Sequence, residues 1–183
     1  MLLLHGFRAT REEALRILPT LARIGLPALV TTYRNDAGAP SSPDGLYHLG
    51  DTEWKDIEAG VQYARECGAR GIVLFGWSMG GCLVETFLHR SPAVTNVRAL
   101  ILDSPVLNWH RVVEADVRRR RLPRWCVPLL ASIVEQHAGV DFRRLNFERP
   151  VGSAIPPTLL FHGVGEQLCP LALHWLKRTS FIT

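Results

Sequence analysis

The sequence predicts a single α/β domain in which a mainly parallel sheet carries helices on both faces. Short, largely apolar runs recur along the chain, as expected for strands buried on both faces. They lie at Leu2–Leu4, Ala28–Thr32, Ile72–Phe75, Ala99–Leu102 and Pro157–His162. Most of the segments between these runs have apolar residues at helical spacing. Alternating strands and helices are typical of a parallel sheet wrapped by helices.

Length and composition restrict the partners. With 183 residues, 47% of them hydrophobic, the chain is large enough for one buried core and too short for two. The formal net charge of +4 is a mild excess, and much of it lies in the run Arg118–Arg121. No aromatic residue interleaves with that run, so we interpret it as a solvated helix face in preference to a nucleic-acid or acidic-lipid patch.

The cysteines indicate a reduced compartment. Cys67, Cys82, Cys126 and Cys169 are scattered without a C-x-x-C pair, which argues against disulfides and against a zinc site. No apolar run approaches the length of a membrane span, and none resembles a signal peptide. We therefore expect a cytoplasmic protein with no membrane segment.

Two helix starts are predicted in the first third of the chain. Thr10 and Glu13 form a candidate capping box for a helix from about Arg11, which Pro19 should kink or break. Asp51 is predicted to cap a second helix, which Gly68 closes. Between these helices, 33–50 is rich in turn formers; it is either an ordinary surface loop or a source of substrate contacts from Tyr33, Tyr47 or His48.

The most informative stretch is Ile72–Leu83, where an apolar run leads directly into Gly76-Trp77-Ser78-Met79-Gly80. This order predicts a strand, a tight turn and a helix. A serine at the apex of such a turn has a strained backbone, and the flanking glycines remove Cβ atoms that would collide with the crowded strand and helix. The backbone N–H groups that open the helix favour negative charge developing nearby.

This pattern resembles the nucleophile elbow of the α/β-hydrolase family, in particular its serine aminopeptidase, acylglycerol lipase and prolyl-oligopeptidase branches. The resemblance implies that Ser78 is the nucleophile. It also implies an oxyanion hole in which the N–H of Met79 acts with that of Phe7 or Arg8, which follow His5-Gly6 at the end of the first strand. The alternative is a glycine-rich turn whose serine only caps the helix.

The resemblance also suggests the other members of a catalytic triad. The segment from His162 to Pro170 matches the family motif that carries the acid, and it places Glu166 at that position. Asp103, after the preceding strand, is an alternative acid, and a helix-capping role suits it equally. The family order puts the base last, where only His174 remains, in a helix-like context; we expect the base to lie beyond Thr183.

By this resemblance, residues 1–183 form a single domain running from the third strand of the family fold to the start of the eighth. Residues of about 107–153 would be a small helical cap over the pocket at Ser78. With neighbouring strands missing, Ala28–Thr32 and Thr158–His162 would be exposed sheet edges, so we expect self-association.

Taken together, these features predict that the full-length form is a serine hydrolase that cleaves a small-molecule ester or amide through an acyl-enzyme on Ser78. The chemistry requires neither a metal nor an organic cofactor, and nucleic acid is not an expected partner. The alternative is a catalytically incomplete fragment or pseudoenzyme that acts as a binding or interaction domain.

Overall fold

A computed structural model describes residues 1–148, 156–163 and 180–182. The strands are β1 (Leu2–Leu4), β2 (Leu29–Val30), β3 (Ile72–Trp77), β4 (Val97–Asp103), β5 (Thr158–Phe161) and β6 (Ser180–Ile182). The α-helices are α1 (Leu18–Arg23), α2 (Trp54–Glu66), α3 (Met79–Arg90), α4 (Trp109–Arg119) and α5 (Cys126–Ala138). Short 3-10 helices cover Arg11–Arg16, Pro92–Asn96 and Phe142–Leu145.

All six strands belong to one sheet with the order β2-β1-β3-β4-β5-β6, and every neighbouring pair is parallel. The predicted parallel sheet is therefore confirmed. Because the strands are parallel, their carboxyl ends meet at one edge of the sheet, where the turn after β3 and the loop after β1 lie side by side. That edge is where ligands bind in open α/β sheets.

The two faces of the sheet pack against different helices. Leu3 pairs in register with Phe75, and both belong to a cluster with Ala14 and Leu21 from the first helical region. Leu2 pairs with Leu74 on the opposite face. That face packs on the larger core, to which α2 and α3 contribute Ile57, Val61, Leu83, Val84 and Phe87. Helices thus cover both faces, as predicted.

The two predicted helix caps are wrong. Thr10 makes no capping hydrogen bond, and the segment after it is a 3-10 helix that ends before α1 begins at Leu18, next to Pro19. Glu13 instead accepts a hydrogen bond from the Gly6 N–H at 2.8 Å. Asp51 pairs with Arg90 at 2.7 Å and does not cap α2. In both cases a tertiary contact takes the carboxylate away from the local helix end.

One of the two predicted sheet edges is also wrong. β2 does lie at an edge, but β5 pairs with β6 and is an interior strand. β6 covers Ser180–Ile182, and its backbone forms the pairing that covers β5. Self-association remains a prediction, and β2 is the part of it that the sheet order supports.

The region after β4 is helical, as predicted. Helices α4 and α5 occupy most of it, followed by the 3-10 helix Phe142–Leu145. Trp109, at the start of α4, is buried and donates an indole hydrogen bond to the Leu49 carbonyl at 2.9 Å. The Cys82 thiol of α3 contacts the same carbonyl at 3.4 Å. The helical region is thereby joined to the helix that follows Ser78.

Replacing Glu85 with Gln should flatten the pH dependence of stability. Glu85 is buried within α3, and burial raises the pKa of its carboxyl group to about 8. The unfolded carboxyl group ionises at about pH 4.3, so the free energy of unfolding should fall by about 1.4 kcal/mol per pH unit as the pH rises towards 8. Urea unfolding of the wild type and of Glu85→Gln, followed across this range, measures the effect.

Glu66→Gln is the matched control, because Glu66 is exposed on α2. Its unfolding should follow the pH dependence of the wild type. Equal pH dependence in Glu85→Gln and in the wild type would contradict the prediction.

Candidate active site

Ser78 joins the end of β3 to the start of α3 in a strained conformation. Its φ is 48° and its ψ is −113°, a region that residues with a side chain rarely occupy. Three backbone hydrogen bonds hold it there. The Ser78 N–H donates to the Asp103 carbonyl at 2.9 Å, and the Ser78 carbonyl accepts from Gly81 at 3.0 Å and from Val106 at 2.9 Å. The strand, turn and helix predicted around Ser78 are all present.

The flanking glycines are required by close backbone contacts. A Cβ on Gly80 would lie 2.4 Å from the Leu4 carbonyl oxygen, and one on Gly76 would lie 2.6 Å from the Gly80 carbonyl carbon. A Cβ on Gly81 would lie 2.4 Å from the Cβ of Pro105. The first turn of α3 therefore rests directly on the ends of β1 and β4. This contact places the N-terminus of a 12-residue helix beside Ser78.

The loop after β1 reaches the same place. A Cβ on Gly6 would lie 3.3 Å from the Cβ of Ser78, so this loop passes directly over the serine. The loop continues with Phe7 and with Arg8, whose φ is 58°. The Arg8 guanidinium stacks over the Phe7 ring at 5.3 Å, and the Phe7 ring meets Tyr47 edge-on at 5.8 Å. The predicted oxyanion residues Phe7, Arg8 and Met79 thus lie on the two segments that adjoin Ser78.

His5 anchors this loop through a buried polar network. Its Nε2 lies 2.8 Å from Asp36 Oδ2, and its Nδ1 lies 2.9 Å from the Gly6 carbonyl oxygen and 2.8 Å from the Tyr33 hydroxyl. The rings of His5 and Tyr33 stack with centroids 4.2 Å apart. Burial alone would lower the pKa of His5, but the hydrogen bonds to Asp36 and Gly6 outweigh it, and the pKa lies above its ordinary value. His5 therefore holds the loop, as expected for a structural histidine.

The network changes the interpretation of Tyr33. The sequence left open a substrate contact from this residue, but Tyr33 is buried and its hydroxyl donates to the His5 carbonyl at 2.8 Å. The parts played by Asp36 and by Glu13 were missed. A signal was present in the topology, because His5 and Tyr33 follow the ends of strands that are neighbours in the sheet. Asp36 lies in a stretch that composition alone marks as an ordinary loop.

Asp103, the alternative acid, ends β4 beside the serine. It is paired in register with Trp77 and with Phe161, so three strand ends converge here. The Ser104 hydroxyl lies 3.3 Å from Asp103 Oδ1. This places a half-buried carboxylate one strand away from the Ser78 turn. The other candidate acid, Glu166, and the candidate base His174 lie outside the described residues, so both assignments remain predictions.

The other described histidines lie on several different elements. The imidazole of His48 contacts Asp44 at 3.0 Å, and that of His89 contacts the Glu85 carbonyl at 2.7 Å. His110 and His137 are on α4 and α5, while His162 directly follows β5 at the carboxyl edge of the sheet. Of these, His162 is the one whose strand end shares the edge with Ser78 and Asp103.

A second nucleophilic side chain, the thiol of Cys82, lies near Ser78. Cys82 lies one helical turn after Ser78, but burial raises the pKa of its thiol to about 12, which keeps it protonated. Within 1–148, 156–163 and 180–182, no group of three or more His, Cys, Asp and Glu side chains is placed to hold a metal ion. Among the described residues near this edge, Ser78 is the group whose setting suits nucleophilic chemistry.

Comparison with known proteins identifies the fold. No family model and no curated protein matches the sequence, but solved structures do. An esterase from Pyrococcus furiosus superposes with a TM-score of 0.71 at 19% identity, over 96% of this chain and 64% of its own. The fold is that of the α/β-hydrolases. An esterase from Exiguobacterium antarcticum superposes with a TM-score of 0.64 at 18% identity, over 98% of this chain and 79% of its own. A serine hydrolase from Cycloclasticus zankles superposes with a TM-score of 0.64 at 15% identity, over 99% of this chain and 80% of its own.

The chain accounts for part of that α/β-hydrolase fold. It spans about 64% of the length of the Pyrococcus furiosus esterase. The described sheet contains the strand, turn and helix around Ser78 together with the strand that precedes the His5-Gly6 loop.

Replacing Gly80 with Ala should destabilise the protein. In an unconstrained helix this change gains about 1 kcal/mol, but here the added methyl group would collide with backbone carbonyl groups of Leu4 and His5, which cannot rotate away. We expect a net loss of about 3 kcal/mol, measured by urea unfolding. Gly71→Ala is the control, because its added Cβ would meet the movable Arg98 side chain. Equal stability of Gly80→Ala and the wild type would show that the close contact is not rigid.

Proposed function

We propose that this protein is a serine hydrolase that cleaves an ester or amide bond through an acyl-enzyme on Ser78. The observation that carries the proposal is the strained backbone of Ser78, which is held by glycine contacts at the carboxyl edge of a parallel sheet. A strained serine between a strand and a helix is the geometry of the nucleophile elbow. The resemblance in fold to two esterases and a serine hydrolase supports the same conclusion.

In the proposed reaction, the Ser78 hydroxyl attacks the carbonyl carbon of the substrate. A base takes the hydroxyl proton, and the carbonyl oxygen becomes an oxyanion. The Met79 N–H and the N–H of Phe7 or Arg8 would donate hydrogen bonds to it. The aligned backbone dipoles of α3 give its N-terminus a partial positive charge, which would further stabilise the oxyanion. Proton return to the leaving group and attack by water then complete the cycle.

The acid and the base are assigned by resemblance. Glu166 would orient the catalytic histidine, with Asp103 as the alternative acid, and His174 is the candidate base within this chain. Asp103 ends β4 next to the Ser78 turn, where its backbone carbonyl accepts a hydrogen bond from the Ser78 N–H at 2.9 Å, and this position keeps it a candidate acid. The helical region after β4 would act as the cap that shapes the substrate pocket.

Treatment with a fluorophosphonate probe tests whether Ser78 is activated. If His174 serves as the base, we expect one adduct per chain, detected as a shift of the intact mass, because an activated serine attacks phosphorus as it attacks an acyl carbon. Ser78→Ala should abolish the adduct. Ser132→Ala removes an exposed serine on α5 and should label like the wild type. Absence of labelling in a folded chain would exclude His174 as the base and favour the alternative of a catalytically incomplete binding or interaction domain.

Two conservative substitutions distinguish the candidate acids. If the chain hydrolyses p-nitrophenyl acetate, Glu166→Gln should lower kcat by about 10⁴-fold, because a triad histidine without its carboxylate loses its orientation. Asp103→Asn should then have a much smaller effect. The reverse ranking would assign the acid to Asp103. Circular dichroism of both variants confirms that each is folded.

A further inference from the structure

The outer face of α5 and the turn before it expose several large apolar side chains. Eight large apolar side chains are exposed in the described part of the chain, and half of them lie within 122–133. Trp125 is 72% exposed, Leu129 55%, Ile133 50% and Leu122 41%. Trp125, Leu129 and Ile133 are spaced four residues apart, so they lie on one side of the helix over about 12 Å. We call these four residues the α5 stripe.

The opposite side of α5 is the one that packs on the protein. Val127, Ala131 and Ala138 are buried there. The helix is therefore apolar on both sides, although only one of them has a partner among the described residues. Single exposed apolar residues are ordinary on protein surfaces, but a clustered stripe marks an interaction surface.

Arginines border the stripe at its N-terminal end. Residues 114–124 contain five arginines and two acids, which gives this segment a net charge of +3. Arg118, Arg121 and Arg124 line a surface hollow of about 460 Å³ together with Leu122 of the stripe. By contrast, residues 125–134 carry no charged side chain. The positive charge and the exposed apolar surface are thus adjacent but separate.

Existing ion pairs leave this positive charge available. Arg118 and Arg124 both pair with Glu114, at 3.6 and 3.2 Å, and Arg119 and Arg120 both pair with Asp116. Four arginines therefore share two carboxylates. These ion pairs are exposed to solvent, and exposed ion pairs are weak. Within the described residues, Arg121 makes no ion pair. The guanidinium groups can turn to phosphate oxygens, which they bind well.

We infer that this face binds the surface of an anionic lipid bilayer. In the bound state, Trp125, Leu129 and Ile133 lie at the boundary between headgroups and acyl chains, while the arginines contact lipid phosphates. A bilayer suits both parts of the surface, since interfacial helices combine an aromatic and aliphatic face with basic flanks. No helix among the described residues is long and apolar enough to cross a membrane, so the contact is peripheral.

Co-sedimentation of the whole chain with vesicles tests this inference. Vesicles of phosphatidylcholine mixed with phosphatidylserine should bind the protein, and vesicles of phosphatidylcholine alone should bind it much more weakly. Added salt should weaken the binding to anionic vesicles, because it screens the arginines. Tryptophan emission should shift to shorter wavelength on binding, and brominated lipid should quench it. Because the chain has five tryptophans, both changes should be largely lost in Trp125→Phe.

Paired variants separate the apolar and the basic contributions. Trp125→Ser with Leu129→Ser should weaken binding at least tenfold by removing buried apolar area. Arg121→Gln with Arg124→Gln should weaken it about fivefold per arginine. Ile24→Ser is the matched control for the apolar variant and Arg23→Gln for the basic variant. Both residues are exposed and lie at the end of α1, outside the α5 stripe and its arginines. Both controls should bind like the wild type. Since all these positions are exposed, thermal unfolding should confirm that every variant is folded.

Three results would overturn the inference. One is failure of the wild type to bind anionic vesicles. Another is equal binding by the stripe variant and the wild type. The third is a dimer in sedimentation velocity that the stripe variant converts to monomer without any vesicle binding, which would assign the stripe to a second copy of this chain. Ser78→Ala should bind vesicles normally, so loss of the proposed hydrolase activity and loss of lipid binding are distinguished.

Discussion

The close approach of α3 to the sheet is the constraint on which the candidate site depends. Gly80 lies so near the end of β1 that a single methyl group would overlap the Leu4 carbonyl oxygen. Because the helix begins this close to the strands, the chain must reverse within one residue, and Ser78 takes the strain of that reversal. The hydrogen bond from the Ser78 N–H to Asp103 secures the same residue from β4. The core positions the serine, and the strain persists because the surrounding packing leaves no alternative.

Polar contacts from two sides hold the loop opposite Ser78. Gly6 lies against the serine, and its N–H is held by Glu13 from one side of the loop. The His5 ring is held by Asp36 and Tyr33 from the other side. When His5 is protonated, Nε2 donates to Asp36, Nδ1 can donate to the Gly6 carbonyl, and the Tyr33 hydroxyl donates to the His5 carbonyl. When His5 is neutral, the Tyr33 hydroxyl can instead turn its one proton to Nδ1. Either form keeps the loop in place, which is what a preorganised oxyanion site requires.

Sequence reasoning succeeded where one residue type has one physical explanation. The glycines around Ser78 and the apolar runs of the strands each have a direct steric or hydrophobic cause, and the sheet and the turn follow from them. Sequence reasoning failed where a side chain has more than one possible hydrogen-bond partner. Glu13 and Asp51 stand at plausible cap positions, yet Glu13 bonds to the Gly6 N–H in the preceding loop and Asp51 pairs with the distant Arg90. The fold determines which partner each carboxylate takes. The pairing of β5 with β6 depended in the same way on a contact between segments distant in sequence.

The α5 stripe shows a further limit of sequence patterns. Apolar residues on all sides of a helix predict that the helix is fully buried, and residues 125–134 have this pattern. The structure buries Val127 and Ala131 and leaves Trp125 and Leu129 in solvent, so the same residues divide into a core face and an outer face. Arg118–Arg121 was interpreted as solvated because no aromatic residue interrupts it. The aromatic residue that completes the surface, Trp125, is adjacent to the arginines instead of interleaved with them, because a turn separates α4 from α5.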